Sequence, residues 1–207
     1  MKDKLMLNIG TVGRKPFALP EDFVTETIAI LAKRGAGKTY LLRKLAEALI
    51  GAHLPVVVID PVGVCWGLRS SANGKRDGLP VIIIGGDKGD LPLESESGKV
   101  LAEWVVTERR SVVFDLSALP SKAAECRFVA DFATQIYRQN RDPLHIMLDE
   151  ADNFAPQSPM QGDKRMLGAI NMLARRGRAR GIGLTMATQR SAVLNKNVLT
   201  QAEVLVA

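Results

Sequence analysis

Short runs of branched apolar residues alternate along the chain with longer stretches in which apolar residues recur every three or four positions. The short runs show no alternation with polar side chains, which is typical of strands covered on both faces of a parallel sheet. They predict strands at Thr27–Leu31, Val56–Asp60, 81–84, 112–115, 145–149, 184–188 and Val204–Val206. Because helical stretches separate these strands, we expect an α/β fold with a doubly wound, mostly parallel sheet and helices on both faces.

Three of the helical stretches have an apolar face with the period of an α-helix. The faces comprise Leu41, Leu42, Leu45 and Leu49 in the first helix, Phe128, Phe132 and Ile136 in the second, and Met166, Leu167, Ile170 and Leu173 in the third. Gly51 is predicted to end the first helix, and Ser121 is predicted to be the N-cap of the second. The polar stretches 67–79 and 85–98 are predicted to be loops between strands.

The composition is typical of a globular protein, with 46% hydrophobic and 24% charged residues in a chain of 207. A chain of this length buries roughly 70% of its surface on folding, so residues 1–207 are expected to form a single domain. Residues 1–26 are interpreted as a lead-in segment that packs on the core. The predicted strand at the end of the sequence indicates a domain truncated at its C-terminal end. The apolar runs are shorter than the ~20 residues of a transmembrane helix, so we expect a cytoplasmic protein without membrane contacts.

Basic residues outnumber acidic ones by 28 to 22, which gives a formal net charge of +6. This excess favours an anionic partner such as a nucleic acid or a nucleotide, although charge alone is weak evidence. Six basic and no acidic side chains lie between positions 164 and 180. Cys65 and Cys126 have no partners at metal-ligand spacing and are predicted to be buried thiols in a reducing compartment. His145 is expected to be a packed, neutral imidazole.

A glycine-rich loop follows the strand Thr27–Leu31 directly and precedes a helix. Residues 32–39 match the P-loop pattern in its required strand–loop–helix context, with alanine at position 32 in place of the first glycine. Backbone N–H groups of such a loop surround a β-phosphate, and the amino end of the helix attracts the same anion. The predicted nucleotide ligands are Arg34, Gly35, Ala36, Gly37, Lys38, Thr39 and Tyr40. Lys38 is expected to bridge the β- and γ-phosphates of ATP, and the Thr39 hydroxyl is expected to bind Mg²⁺.

A second apolar strand is predicted to end in two adjacent acids, Asp149 and Glu150. In P-loop enzymes the first acid holds Mg²⁺ through water, and the second polarises the water that attacks the γ-phosphate. Adjacent acids therefore favour hydrolysis over nucleotide binding alone. The alternative interpretation is a pair of solvated acids that cap the next helix.

Gln189 follows the strand predicted at 184–188, which is expected to lie beside Asp149. At that position its amide would contact the γ-phosphate or the attacking water, and a surface amide is the alternative. Residues 174–180 contain four arginines. They are either a solvated helix end that offsets the helix dipole, or one of them is an arginine finger that reaches the γ-phosphate of a neighbouring subunit.

These motifs together resemble the HerA–FtsK superfamily of hexameric, RecA-like nucleic-acid translocases, and the HerA branch in particular. The similarity covers almost the whole chain and includes residues 9–13, 28–31, 57–63, 113–117, 149–156, 177–184 and 187–190. Asp152 stands where the family commonly has histidine. The resemblance implies a RecA-like (ASCE) P-loop NTPase fold. It also implies that Gln189 is the sensor glutamine and that Arg175 or Arg178 is the finger, acting in trans.

By this resemblance we expect Mg²⁺-dependent ATP hydrolysis that drives translocation or unwinding of DNA. The implied partners are double-stranded DNA, further copies of the chain in a hexameric ring, and a nuclease or another protein. Arg69, Lys75, Arg76 and residues 157–165 are candidates for phosphate contacts, with ordinary solvated loops as the alternative. Two other functions stay open: a nucleotide-dependent switch that engages no nucleic acid, and a DEAD-box-like RNA helicase domain, which residues 149–152 suggest.

Overall fold

A seven-stranded parallel sheet forms the centre of the molecule. The computed structural model describes residues 6–71, 74, 75 and 77–207. The strands are β1 (Met6–Val12), β2 (Lys15–Pro20), β3 (Thr27–Leu31), β4 (Val56–Asp60), β5 (Val81–Gly85), β6 (Ser111–Asp115), β7 (Leu144–Leu148), β8 (Ile182–Thr188) and β9 (Val204–Val206). The helices are α1 (Lys38–Gly51), α2 (Gly98–Glu108), α3 (Lys122–Gln139), α4 (Lys164–Arg176) and α5 (Lys196–Leu199).

The sheet has the strand order β5-β6-β4-β7-β8-β3-β9. Every pair of neighbours within it runs in parallel, whereas β1 and β2 form a separate antiparallel hairpin. The predicted α/β class with a doubly wound parallel sheet is therefore confirmed.

The seven predicted strands are all present, with ends that differ from the prediction by at most two residues. The strand predicted at 145–149 spans Leu144–Leu148, so Asp149 lies just beyond it. α2 forms where the sequence analysis assigned no helix. Its β-branched valines weaken the helical signal, but packing against the core buries Ala102 and Val105 and stabilises the helix.

Two apolar layers lie on opposite faces of the sheet. On one face, buried residues of α2, α3 and α4 pack against the sheet. On the other face, α1 and the β1–β2 hairpin pack through residues such as Leu42, Leu45 and Leu7. β4 contributes to both layers, since Val57 faces the first and Val58 the second. Burial on both faces is the physical reason that the strands show no polar alternation.

Local signals at the helix ends are also found in the structure. α1 ends at Gly51 as predicted, and the Ser121 hydroxyl accepts a hydrogen bond from the backbone N–H of Ala124 at 3.2 Å, as expected of an N-cap.

In the described part of the 1–26 segment, Leu7 and Ile9 are buried beside α1, and residues 1–5 lie outside the described residues. Among the helices of the described chain, none has the length and apolarity needed to cross a membrane.

The predicted buried groups lie where expected. Cys65 and Cys126 are both free and buried. Burial raises the pKa of the Cys65 thiol well above its ordinary value and the pKa of the Cys126 thiol to about 11. Both thiols are therefore unreactive at neutral pH. His145 is fully buried, and its ring nitrogens lie 2.7 Å from the Val24 carbonyl oxygen and 2.7 Å from the Thr185 hydroxyl. Burial lowers its pKa to about 4, so the imidazole is neutral.

His145 makes the stability of the fold depend on pH. Its folded pKa of about 4 lies below the ordinary value of 6.5, so its contribution is complete above pH 6.5 and is lost as the pH falls toward 4. We expect the free energy of unfolding to drop by about 3 kcal/mol over this interval because of this residue. Urea denaturation of the wild type and of His145→Gln across this pH range measures the contribution of His145 to the free energy of unfolding. The difference in stability between the two proteins must shrink with falling pH, and a constant difference would contradict the assignment.

Candidate nucleotide-binding site

Three chain segments leave the sheet at the same edge. β8 lies between β3 and β7, and Leu31 at the end of β3 pairs with Thr188, while Leu148 at the end of β7 pairs with Met186. The P-loop after β3, the acids after β7 and Gln189 after β8 therefore start next to one another. Parallel strands place their carboxyl ends together, which is where ligands bind in open α/β sheets.

The P-loop has the backbone conformation that its glycines allow. Gly35 and Gly37 have φ angles of +80° and +96°, a region that residues with a Cβ rarely adopt. Gly37 precedes the first residue of α1, Lys38, so the N-terminus of the helix points into the loop. Ala32 does not have a left-handed conformation, and its N–H donates to the carbonyl of Thr188 at 3.3 Å. Alanine therefore fits at this position without strain.

Lys38 contacts both acids that follow β7. Its ammonium donates a hydrogen bond to Asp149 Oδ1 and lies 3.1 Å from Glu150 Oε1. The contact is largely shielded from water, since Lys38 is 8% and Asp149 2% exposed. Burial by itself would lower the pKa of Lys38, but the hydrogen bonds and charges of the two carboxylates outweigh burial and raise it. The lysine is therefore a permanent cation at neutral pH.

Thr39 and Asp149 form a pair of hard oxygen donors. The Thr39 hydroxyl donates to Asp149 Oδ2 at 3.3 Å, and the backbone N–H of Glu150 donates to Asp149 Oδ1 at 3.0 Å. One carboxylate and one hydroxyl suit Mg²⁺, which keeps several waters and shares its shell with substrate phosphates. In the described residues, no group of three or more His, Cys, Asp or Glu side chains is placed to hold a metal by itself. These two residues would thus hold a Mg²⁺ ion that arrives with a nucleotide.

Glu150 has an unusual backbone conformation. Its φ and ψ angles are 48° and 54°, in the left-handed region that costs a residue with a Cβ about 1–3 kcal/mol and that often marks functional sites. This turn directs the carboxylates of Asp149 and Glu150 toward Lys38. Glu150 Oε1 also accepts a hydrogen bond from the Gln189 amide at 3.4 Å, so the structure brings the predicted base and the predicted sensor together.

A cavity of about 630 Å³ opens at this edge of the sheet. Its lining comprises Lys33, Arg34, Gly35, Gly37, Lys38, Thr39, Tyr40, Val62, Glu150, Asp152, Asn153, Gln189 and Arg190. Of the predicted nucleotide ligands, Ala36 belongs to the loop but not to this lining, and Tyr40 lies at the rim with 67% of its surface exposed. Four basic side chains and two carboxylates surround the space, so the wall suits a polyanion.

Some residues of this wall have no clear signal in the sequence. Lys33 and Arg190 add two cations, and the only sequence signals for them were the position of Lys33 within the P-loop and that of Arg190 next to Gln189. The sequence indicated Asp60 only as the last residue of the strand Val56–Asp60. Its fully buried carboxylate accepts hydrogen bonds from four consecutive backbone N–H groups, at 2.6 to 2.9 Å, from Val62 to Cys65. This turn holds Val62 against the cavity.

Arg175 and Arg178 do not lie at this cavity. α4 ends at Arg176 and β8 begins only at Ile182, so both arginines lie near the amino end of β8, at the opposite edge of the sheet. Arg178 forms an ion pair with Glu203 there. Within one chain they are thus separated from the phosphate site, and a role for either of them in trans stays a prediction.

Comparison with known proteins finds a family match in the part of the chain that contains the P-loop. The family described as "Helicase HerA, central domain" matches residues 8–63. The DNA double-strand break repair helicase HerA of Pyrococcus furiosus is 39% identical over 59 residues, a stretch that spans 28% of this chain and 10% of that protein. The family match at residues 8–63 contains most of the β1–β2 hairpin, β3, the P-loop, α1 and β4.

Solved structures extend the similarity over most of the chain. The genome packaging NTPase B204 of Sulfolobus turreted icosahedral virus 2 has a TM-score of 0.56 at 15% identity, covering 88% of this chain and 73% of that one. The pCW3 conjugation coupling protein TcpA has a TM-score of 0.53 at 14% identity, covering 98% and 53%. The cytoplasmic domain of EssC has a TM-score of 0.54 at 15% identity, covering 97% and 35%. The HerA central-domain match confirms the resemblance to the HerA–FtsK superfamily of P-loop ATPases at residues 8–63, and the solved structures show the same fold over most of the chain.

Proposed function

We propose that this chain is the ATPase domain of a motor that hydrolyses ATP with Mg²⁺ and translocates or unwinds DNA. The observation that carries the proposal is the contact of Lys38 with Asp149 and Glu150 at the wall of a cationic cavity. ATP analogues occur in two of the similar structures: B204 was solved with AMPPCP, at a TM-score of 0.50, and TcpA with ATPγS.

Nucleotide binding would change the partners of Lys38. The ammonium is now neutralised by two carboxylates, and phosphate oxygens would replace them as its acceptors. Asp149 is then free to hold Mg²⁺ together with Thr39, and the bound ion would offset phosphate charge. The remaining loop ligands, from Arg34 to Tyr40, would surround the phosphates.

Glu150 is the proposed general base. Its carboxylate accepts a proton from the attacking water while the new bond to the γ-phosphorus forms, and the bond to the β–γ bridging oxygen breaks. The products are ADP and inorganic phosphate. The Gln189 amide, 3.4 Å from Glu150 Oε1, is placed to orient that water or to contact the γ-phosphate.

The proposed partners are double-stranded DNA and further copies of the chain in a hexameric ring in the cytoplasm, with a nuclease or another protein as a further partner. The net charge of +6 and the name of the HerA relative, a DNA double-strand break repair helicase, support DNA as a partner. In a ring, Arg175 or Arg178 of one copy would reach the nucleotide of the next. Of the basic loop residues, Arg69 forms an ion pair with Asp90, and Arg76 lies outside the described residues.

DNA binding distinguishes a motor from a switch. We expect ATP hydrolysis to rise when double-stranded DNA is added, and the logarithm of DNA affinity to fall linearly with the logarithm of salt concentration, because phosphate contacts release counterions. Binding is best measured with the slow Glu150→Gln variant and an ATP analogue. Hydrolysis without any DNA binding at low salt would contradict the motor and favour the switch. Tighter binding to RNA than to DNA would favour the RNA helicase alternative.

A further inference from the structure

Asp152 lies two positions beyond the proposed base and has no role in the mechanism described above. It belongs to a single helical turn, Ala151–Asn153, that begins directly after Glu150. Its Oδ1 accepts a hydrogen bond of 2.6 Å from the hydroxyl of Thr188, the last residue of β8. The contact therefore joins the loop that carries Glu150 to the strand end that carries Gln189.

The same hydroxyl also holds the chain beyond the strand. Thr188 Oγ1 accepts a hydrogen bond of 2.9 Å from the backbone N–H of Arg190. Thr188 is fully buried, and its hydroxyl has one proton to donate, which goes to Asp152. The backbone of Gln189 is thus held on both sides, by the strand at Thr188 and by the hydrogen bond of the Arg190 N–H.

From this geometry we propose that Asp152 is a positioning residue that sets the distance between Glu150 and Gln189. This inference rests on the proposed function. The Asp152–Thr188 hydrogen bond keeps the base and the amide, which are only 3.4 Å apart, on one rigid unit. A displacement of about 1 Å in such a site costs up to 10²-fold in rate, so losing the contact lowers the turnover of bound ATP and spares its binding.

Four single variants separate the hydrogen bond from the charge of Asp152. Asp152→Ala and Thr188→Val remove the contact, whereas Asp152→Asn keeps an acceptor and Thr188→Ser keeps the hydroxyl. We expect the first two to lower kcat by about 10- to 100-fold, with KM and the affinity for an ATP analogue within about twofold of the wild type. The two conservative variants retain most of kcat. The double variant Asp152→Ala/Thr188→Val loses no more than either single change, because both remove the same bond.

Other results overturn the inference. If Asp152→Asn loses as much kcat as Asp152→Ala while Thr188→Val stays active, Asp152 acts through its charge and not through Thr188. Unchanged kcat in both contact-breaking variants excludes a positioning role. Thermal unfolding of all four variants shows whether a loss of activity reflects a loss of folded protein, and Asp152 is partly exposed, so its replacement leaves the core intact.

A measurement that does not depend on ATP hydrolysis tests this inference separately from the proposed function. Hydrogen exchange of the Arg190 backbone amide reports on the Thr188 hydroxyl directly. We expect faster exchange in Thr188→Val and Asp152→Ala, and nearly wild-type exchange in Asp152→Asn. If the wild type hydrolyses no ATP, the proposed function fails, and the exchange pattern still decides whether Asp152 positions the strand end. Equal exchange in all proteins would overturn the positioning role even in an active enzyme.

Discussion

Glu150→Gln is expected to bind ATP normally and to hydrolyse it about 10²- to 10⁴-fold more slowly, the usual contribution of a general base. Glutamine has nearly the shape of glutamate and keeps an oxygen that accepts from Gln189, but it does not take up a proton from water at neutral pH. Titration with a fluorescent ATP analogue measures the nucleotide affinity. Phosphate release under saturating ATP measures the rate of hydrolysis.

A matched control for this variant is Glu108→Gln. Glu108 is an exposed glutamate at the end of α2, far from the cavity, and its variant should have the activity of the wild type. If Glu150→Gln releases phosphate at the rate of this control, then Glu150 is not the base and another group activates the water. If it fails to bind the analogue, its carboxylate is needed for binding and the proposed division of roles is wrong.

Lys38→Ala is expected to abolish ATP binding and hydrolysis and also to destabilise the empty protein. Removing one member of a buried ion pair leaves its partner uncompensated, which typically costs about 3–5 kcal/mol. Asp149 is only 2% exposed, and without the ammonium its carboxylate keeps only the Thr39 hydroxyl and the Glu150 N–H as donors. Urea denaturation without nucleotide measures the stability, and analogue titration measures the binding.

Lys38→Arg separates the charge from the contact with phosphate. A guanidinium restores the positive charge beside Asp149 and Glu150 but has a different length and donor geometry. This variant should recover most of the stability lost in Lys38→Ala and little of the ATP hydrolysis. A Lys38→Ala protein as stable as the wild type would show that the ion pair does not stabilise the empty site.

Much of the fold was predictable because its signals are local. β4 and β7 are apolar except for Asp60 and His145, and burial on both faces of a parallel sheet favours such near-continuous apolar runs. The P-loop is equally local, since eight consecutive residues carry both its glycines and its lysine. α2 was missed because its valines weaken the helical signal, and long-range packing compensates for that weakness.

The candidate site was predictable in part for the same reason. Residue types and their attachment to strand ends indicated Lys38, Asp149, Glu150 and Gln189 as members of one site. The structural role of Asp60 was not predictable, since its four hydrogen bonds depend on how the following turn folds back. The separation of Arg178 from the cavity was implicit in the sequence, because the arginines precede the strand predicted at 184–188 and the loop before a parallel strand lies at its amino end, opposite the ligand site. The ion pair of Arg178 with Glu203, in contrast, depends on the tertiary structure.

By itself, the sequence determined the strands, the apolar helix faces and the phosphate-binding loop, each of which is encoded within a few neighbouring positions. Only the tertiary structure decided which atoms of distant side chains are in contact. Lys38 contacts Asp149 directly, 111 positions away, and Asp152 reaches Thr188, because β8 lies between β3 and β7 in the sheet. That strand order follows from the packing of whole layers against one another, and no short stretch of sequence contains the information that specifies it.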